Sequence, residues 1–321
     1  MKGARAFTLI ELLVVIAIIA VLAGVMIASF GGATDSARSA LCLTNMKNLA
    51  QAVNTYAMKE GVYPLAGSRE AMGIDYNSSQ MYYEPQPGWI SWLDEGAYEN
   101  GSGVKQQSSH VSVSICPFYG TGDVAKDTYA ITNGTLWKAT SYNKKIYTCP
   151  EHVRYRANLK KEAPLWSYVM NSRFGYDTSQ GSTATTSADA PGVFYNTIAR
   201  TDRVLLFAEL PTLDPATRSD IADPSGAAAD CTLQFKATVN GTSYGSEWSG
   251  TAETIGFPHR TGKRDYCGHV VFADAHTETL KYSEAGLKLD ELTALLCMGI
   301  DVSFDEKAGY KLPPDADAVV E

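Results

Sequence analysis

A chain of 321 residues, 45% hydrophobic and 19% charged, has the composition of an ordinary folded body with room for an anchor and one or two domains. Its 27 basic and 35 acidic residues give a formal net charge of −8, and no segment gathers the Lys and Arg that phosphate binding requires, which speaks against nucleic acid as a partner. Six cysteines without any Cys-x-x-Cys pair speak against a zinc ribbon or a thioredoxin-type site.

The first predicted element is a long apolar helix. Lys2 and Arg5 precede 19 uncharged residues, Leu12 to Phe30, which at ~1.5 Å per residue nearly match a ~30 Å hydrocarbon core. The basic flank places the N-terminus on the cytoplasmic side and the rest outside. An ordinary secretory signal has a shorter apolar region ending in a small-x-small site, and a plain signal anchor leaves Glu11, at the head of the block, unexplained. The run Phe7, Thr8, Leu9, Ile10, Glu11, Leu12, Leu13, Val14 closely resembles, without a gap, the prepilin cleavage and methylation motif of type IV pilin-like proteins and type II secretion pseudopilins. Ala6 stands where that family's leader usually ends in Gly.

The resemblance implies a leader at 1–6, cleavage between Ala6 and Phe7 by a prepilin peptidase, and N-methylation of Phe7. Removing the leader leaves 25 basic residues against 35 acidic ones, a net charge of −10. A carboxylate at bilayer depth costs about 2.5–3.5 kcal/mol. In pilin-like filaments the N-terminal ammonium of a neighbouring subunit compensates such a charge, so the resemblance gives Glu11 an assembly role. The implied partners are other pilin-like subunits, the processing enzyme and inner-membrane lipid. The implied location is a single pass through the inner membrane, with the head outside.

Residues 7–30 form the expected membrane half of this helix and 31–61 its amphipathic half. Gly31 and Gly32 permit a bend or local melting. Cys42, Met46, Leu49, Val53 and Tyr56 then recur at four- and three-residue intervals, a one-sided apolar stripe, and Gly61 with Pro64 ends the pattern. Phe7 to Glu60 would reach on the order of 80 Å, and the stripe would dock onto a head. Larger members of the resembling family share the pattern around Cys42, Asn45, Leu49 and Tyr56, followed by Tyr63-Pro64.

From Val62 to residue 300 the sequence predicts a globular head of short strands and long loops. The expected strands are Val111–Cys116, Lys145–Cys149, Trp166–Asn171, Arg203–Glu209, His269–Asp274 and Thr277–Tyr282. Cys116-Pro117 and Cys149-Pro150 are read as strand ends. Thr178–Ala190 and Asp214–Asp230 read as surface loops, Leu287–Met298 as a short helix, and 301–321 as a loose acidic tail. The fold class is α+β: a long N-terminal transmembrane helix packed on an antiparallel sheet. Export makes disulfides an expectation, with Cys116, Cys149, Cys231 and Cys267 the candidates; the pairing is open.

Residues 257–280 resemble a C-terminal motif of bacterial pilin-like proteins in which a His precedes a strand ending Phe-Ala-Asp-Gly-His. Here Ala275 replaces the Gly, Asp274-Ala275 reads as a two-residue hairpin turn, and His259 lies further upstream than the motif's spacing. His259, Asp274 and His276 are ligand types and form a remote metal possibility, as does His259 with Glu209. The favoured reading is local hydrogen bonding around a turn, with no metal and no cofactor. No nucleophile elbow, phosphate loop or metalloprotease motif is present, so no enzyme is expected; Cys267 beside His269 is sequence adjacency only. Trp89, Trp92, Tyr82 and Tyr83, with Pro85 and Pro87, form an aromatic cluster that reads as core or as a binding surface. The functional expectation is a pilin-like subunit or tip component of a type II secretion or type IV pilus-like filament. The alternative is a membrane-tethered module that binds glycans or other ligands without a filament.

Overall fold

The structure, a computed structural model, describes residues 8–67, 69–75, 80–86, 88–91, 119–174, 198, 200–211, 231–233, 236–239, 242–245, 254–261, 265–285, 289–299, 303–305 and 309–311. The expected strand Val111–Cys116, both Ser/Thr- or Asp-rich loops and the tail beyond Pro313 lie outside these residues, as do Ala6, Phe7, Cys116 and Trp92.

Helix α1 runs from Leu9 to Glu60 over 52 residues, about 78 Å at ~1.5 Å per residue. Thr8 caps its start. The Thr8 hydroxyl accepts from the Glu11 backbone N–H at 3.2 Å, while the Glu11 carboxylate accepts from the Thr8 N–H at 2.8 Å and from its hydroxyl at 2.9 Å, a reciprocal capping box. Gly61, at φ +77°, closes the other end with an N–H bond to the Ala57 carbonyl. Gly31 and Gly32, which permit a bend or local melting, lie inside continuous helix.

The two halves of α1 differ in what covers them. From Leu9 to Leu22 every large apolar side chain is between 46% and 81% exposed. Cys42, Met46, Leu49 and Val53 are fully buried against the head and Tyr56 is half-buried, so the stripe read from the sequence is the docking face. Among the described residues no helix is long and apolar enough to cross a membrane; the described side chains of the apolar block end at Gly24.

A hairpin of β1 (Arg69–Asp75) and β2 (Gln80–Gln86) follows. Then come α2 (Val124–Thr132), a 3-10 turn at Lys144–Tyr147, and α3 (Pro150–Asn158). The segment expected as a strand at Lys145–Cys149 is therefore a correction. The Asn143 side chain accepts from the Lys145 N–H and starts the turn, and Pro150 opens α3 at its first position rather than ending a strand.

The central sheet holds β3 (Tyr168–Asn171), β4 (Leu205–Glu209), β5 (Thr232–Leu233), β8 (His259–Thr261), β9 (Asp265–Phe272) and β10 (Thr277–Lys281). Its order is β10-β9-β4-β3-β5, with β8 also paired to β9; all pairings are antiparallel except β3 with β5. β6 (Lys236–Val239) and β7 (Thr242–Gly245) form a separate hairpin. A single-turn helix α4 (Tyr282–Ala285), α5 (Leu289–Met298) and the pair β11 (Ser303–Asp305) and β12 (Gly309–Lys311) complete the described residues. β3 and β4 are buried along their whole length and β9 over its last six residues, because α1 packs across β4, β8 and β9. The result is the expected α+β, pilin-like architecture.

Candidate functional site

Two places carry the chemistry-bearing residues: the head of α1, and the seam where α1 meets the sheet. At the first, Thr8 and Glu11 are the polar residues in the described part of the processing motif, and the Glu11 side chain is exposed beside the cap it completes.

At the seam, four elements converge. Cys42 projects from the buried stripe of α1. Cys149 is the residue before α3, so its thiol sits at that helix's N-terminus. Glu209 ends β4, and His259 starts β8. Their ligand atoms all lie within 4.8 Å of one another, and all four residues are buried. Cys42 Sγ donates to Glu209 Oε1 at 2.7 Å, His259 Nε2 meets the same oxygen at 2.8 Å, and Cys149 Sγ lies 3.4 Å from His259 Nε2. A further layer surrounds them. Tyr168 Oη is 3.2 Å from Cys42 Sγ, and the His269 backbone N–H donates to Glu209 Oε2 at 2.7 Å.

Backbone packing brings His259 there. The Gly256 N–H donates to the Glu209 carbonyl at 2.8 Å, so the strand leading into β8 runs beside the end of β4. A Cβ at Gly268 would meet the Gly256 carbonyl oxygen at 1.9 Å. Glycine at 268 is what lets this segment lie flat on β9.

Burial on its own would neutralise Glu209, yet the charge of His259 and the hydrogen bonds it receives hold its carboxyl below the usual range. Burial would likewise keep His259 neutral, but Glu209 and then Cys149 lift its imidazole well above its ordinary value. Burial foremost raises the Cys42 thiol. For Cys149 burial also works upward, and is outweighed by the Cys42 hydrogen bond and the charge of His259, so that thiol is lowered.

The other anticipated residues fall elsewhere. His259 is with Glu209 and not with Asp274 and His276. Those two form a half-exposed turn pair, with His276 Nδ1 2.6 Å from Asp274 Oδ1 and the His276 N–H donating to the same oxygen at 2.9 Å. The trio therefore forms no metal cluster among the described residues. The turn itself spans three residues, Ala273 to Ala275, closed by Ala275 N–H to the Phe272 carbonyl and Phe272 N–H to the His276 carbonyl. This corrects the two-residue reading. Cys267 gains no base from His269, whose Nε2 and Nδ1 meet Ser39 Oγ at 2.8 Å and Thr279 Oγ1 at 3.0 Å. Cys149, Cys231 and Cys267 are buried and form no disulfide among the described residues: Cys149 Sγ lies against His259 Nε2, Cys231 lies by the carbonyls of Ala66 and Ile90, and Cys267 is on β9. Trp89 is core, stacked on Tyr147 and edge-on to Phe207; the side chains of Tyr82 and Tyr83 lie outside the described residues.

The sequence places Cys42 in the stripe, Cys149 among the disulfide candidates and His259 with either Asp274 or Glu209, and does not join the four. Their separations of 107, 60 and 50 residues leave no spacing motif. The available signal was a lone acid ending the apolar run Leu205–Glu209.

Residues 1–27 match the family described as the prokaryotic N-terminal methylation motif. No curated protein matches, and no solved structure matches. The motif supports a prepilin-like protein of the type IV pilin and pseudopilin kind. It implies processing by prepilin peptidase and assembly with other pilin subunits, points to anchoring through the N-terminal helix, and fits a structural subunit better than an enzyme.

Proposed function

We propose that the chain is a membrane-anchored subunit of a type II secretion or type IV pilus-like filament, cut between Ala6 and Phe7, methylated on Phe7, and carrying its head outside the inner membrane. One observation carries this reading: the methylation motif runs without interruption into a helix whose first turns are apolar and exposed, and whose second half buries one face under a head. Exposed apolar side chains on so much of a helix need a covering of lipid or of neighbouring helices, and a filament of stacked α1 helices provides both in turn. A large head suits a minor or tip position. The glycan-binding alternative gains no support from Trp89, which lies in the core.

Glu11 has two roles to separate, since it caps its own helix and would meet the Phe7 ammonium of the next subunit. Gln can complete a capping box but carries no charge. Intact-mass analysis of the purified chain is expected to show an N-terminus at methylated Phe7. Glu11→Gln is expected to leave the chain in the membrane fraction while removing it from sheared fibres. Fibres containing Glu11→Gln at the wild-type level, or a chain that starts at Met1, would refute the proposal.

A further inference from the structure

Cys42, Cys149, Glu209 and His259 have the composition of a protein metal site: two thiols, an imidazole and a carboxylate, from four elements that share no sequence neighbourhood. Zn2+ takes this donor set in four-coordinate tetrahedral geometry, with about 2.3 Å to sulfur and about 2.0–2.2 Å to nitrogen and oxygen. Such a tetrahedron sets its ligand atoms roughly 3.3–3.8 Å apart. The atoms here lie within 4.8 Å of one another, with Cys149 Sγ and His259 Nε2 at 3.4 Å, so small side-chain rotations reach that spacing.

Two further features belong to a built site. A zinc-bound thiolate and carboxylate need donors behind them. Tyr168 Oη stands 3.2 Å from Cys42 Sγ, and the His269 backbone N–H donates to the outer Glu209 oxygen at 2.7 Å. The four residues are also closed off from solvent, as structural zinc ligands are, which leaves no open position for a reacting molecule.

We propose that Cys42, Cys149, Glu209 and His259 form a structural zinc site that fastens helix α1 to the head. Binding releases the protons of the two thiols and the one shared between His259 and Glu209. It leaves two thiolates, a carboxylate and a neutral imidazole around the ion, a net charge of −1 that the Tyr168 hydroxyl and the His269 amide face. Zinc is preferred over Ca2+ or Mg2+, which take oxygen ligands, because half of the donors are sulfur. The ion would tie helix to head whether or not the chain polymerises, so loss of fibres says nothing about it, and loss of zinc says nothing about processing.

The test uses the full chain, extracted from membranes in detergent. Elemental analysis is expected to find close to one zinc per chain. Exchange into Co2+ is expected to give a thiolate-to-cobalt charge-transfer band and the intense visible bands of a tetrahedral ion. Loss of a supporting residue alone typically weakens a metal site about 10–100-fold. Tyr168→Phe, which keeps all four ligands, is therefore expected to lower zinc affinity by at least about tenfold in competition with a chelator. Cys42→Ser or Cys149→Ser alone should roughly halve the charge-transfer band, both together should abolish it, and Cys267→Ser should leave it intact. A folded wild-type chain that shows no cobalt band overturns the proposal, as does a band that survives both ligand substitutions. So does a peptide map in which Cys42 and Cys149 are joined as a disulfide in the chain as isolated.

Discussion

Ala275 sits at φ +70°, in the left-handed region, at the last position of the β9–β10 turn. A side chain there meets its own carbonyl, at a cost of roughly 1–2 kcal/mol that glycine does not incur. The chain thus tolerates strain at a turn that one substitution removes. Ala275→Gly is expected to raise unfolding stability by about 1 kcal/mol, measured as a higher urea midpoint at unchanged slope. His152 works in the opposite sense. It is buried, and burial first, then Arg156 on the same helix, drives its imidazole down to about 3, against a smaller upward pull from Glu209 on β4. The Tyr119 ring packs edge-on to it, and Nδ1 is 3.0 Å from Ser167 Oγ. The native state thus holds His152 neutral, while the unfolded chain takes a proton near pH 6.5. Stability is full above pH 6.5 and declines from there toward pH 3, by up to about 1.4 kcal/mol per pH unit. Between pH 7 and pH 5 the loss from this group is about 2 kcal/mol. Urea titrations of wild type and His152→Asn at the two pH values should show a shallower pH dependence in the variant by about that amount.

The elements differ in how plainly the sequence announces them. α1 was legible because two periodic signals coincide: an uncharged block, and then Cys42, Met46, Leu49 and Val53 on one face, all fully buried. β4 and β9 were legible as apolar runs bounded by turn residues, and β10 as the segment that follows the Asp274-Ala275 turn. The 3-10 turn at Lys144–Tyr147 was not, since Ile146 and Tyr147 give a strand-like apolar pair and are indeed buried. What decides that segment is local polar chemistry, the Asn143 cap and Pro150 at the helix start, which hydrophobic periodicity does not register. The site was only partly legible for a related reason. Gly256 and Gly268 permit a backbone approach that side-chain patterns do not encode, and it is this approach that carries His259 to Glu209. From the sequence, Asp274 and Glu209 were alternative partners for His259, and no spacing chose between them.

At the scale of the whole molecule, the head is not a finished body to which a helix has been added. The second half of α1 is one wall of its core. Beyond the apolar stripe, its polar side chains reach separate parts of the head: Arg38 to Glu151 on α3 at 2.7 Å, Ser39 to His269 on β9, Asn45 to the Thr148 carbonyl at 3.2 Å, and Asn54 to the Ala273 carbonyl at 3.0 Å. Burying a large apolar side chain contributes about 1.5–3 kcal/mol. Met46, Leu49 and Val53 alone therefore contribute roughly 5–9 kcal/mol, which is comparable with the whole stability of a typical domain, about 5–15 kcal/mol. A chain beginning at Thr34 keeps this wall and sheds the half of α1 whose described side chains, Leu9 to Gly24, are exposed. A chain beginning at Val62 sheds both, leaving an apolar face of β4, β8 and β9 open to water. The first is expected to be soluble without detergent and to melt in one cooperative step, followed by circular dichroism. The second is expected to aggregate or to show no cooperative transition. If the Val62 chain melted as sharply as the Thr34 chain, α1 would be an appendage and the head an independent fold.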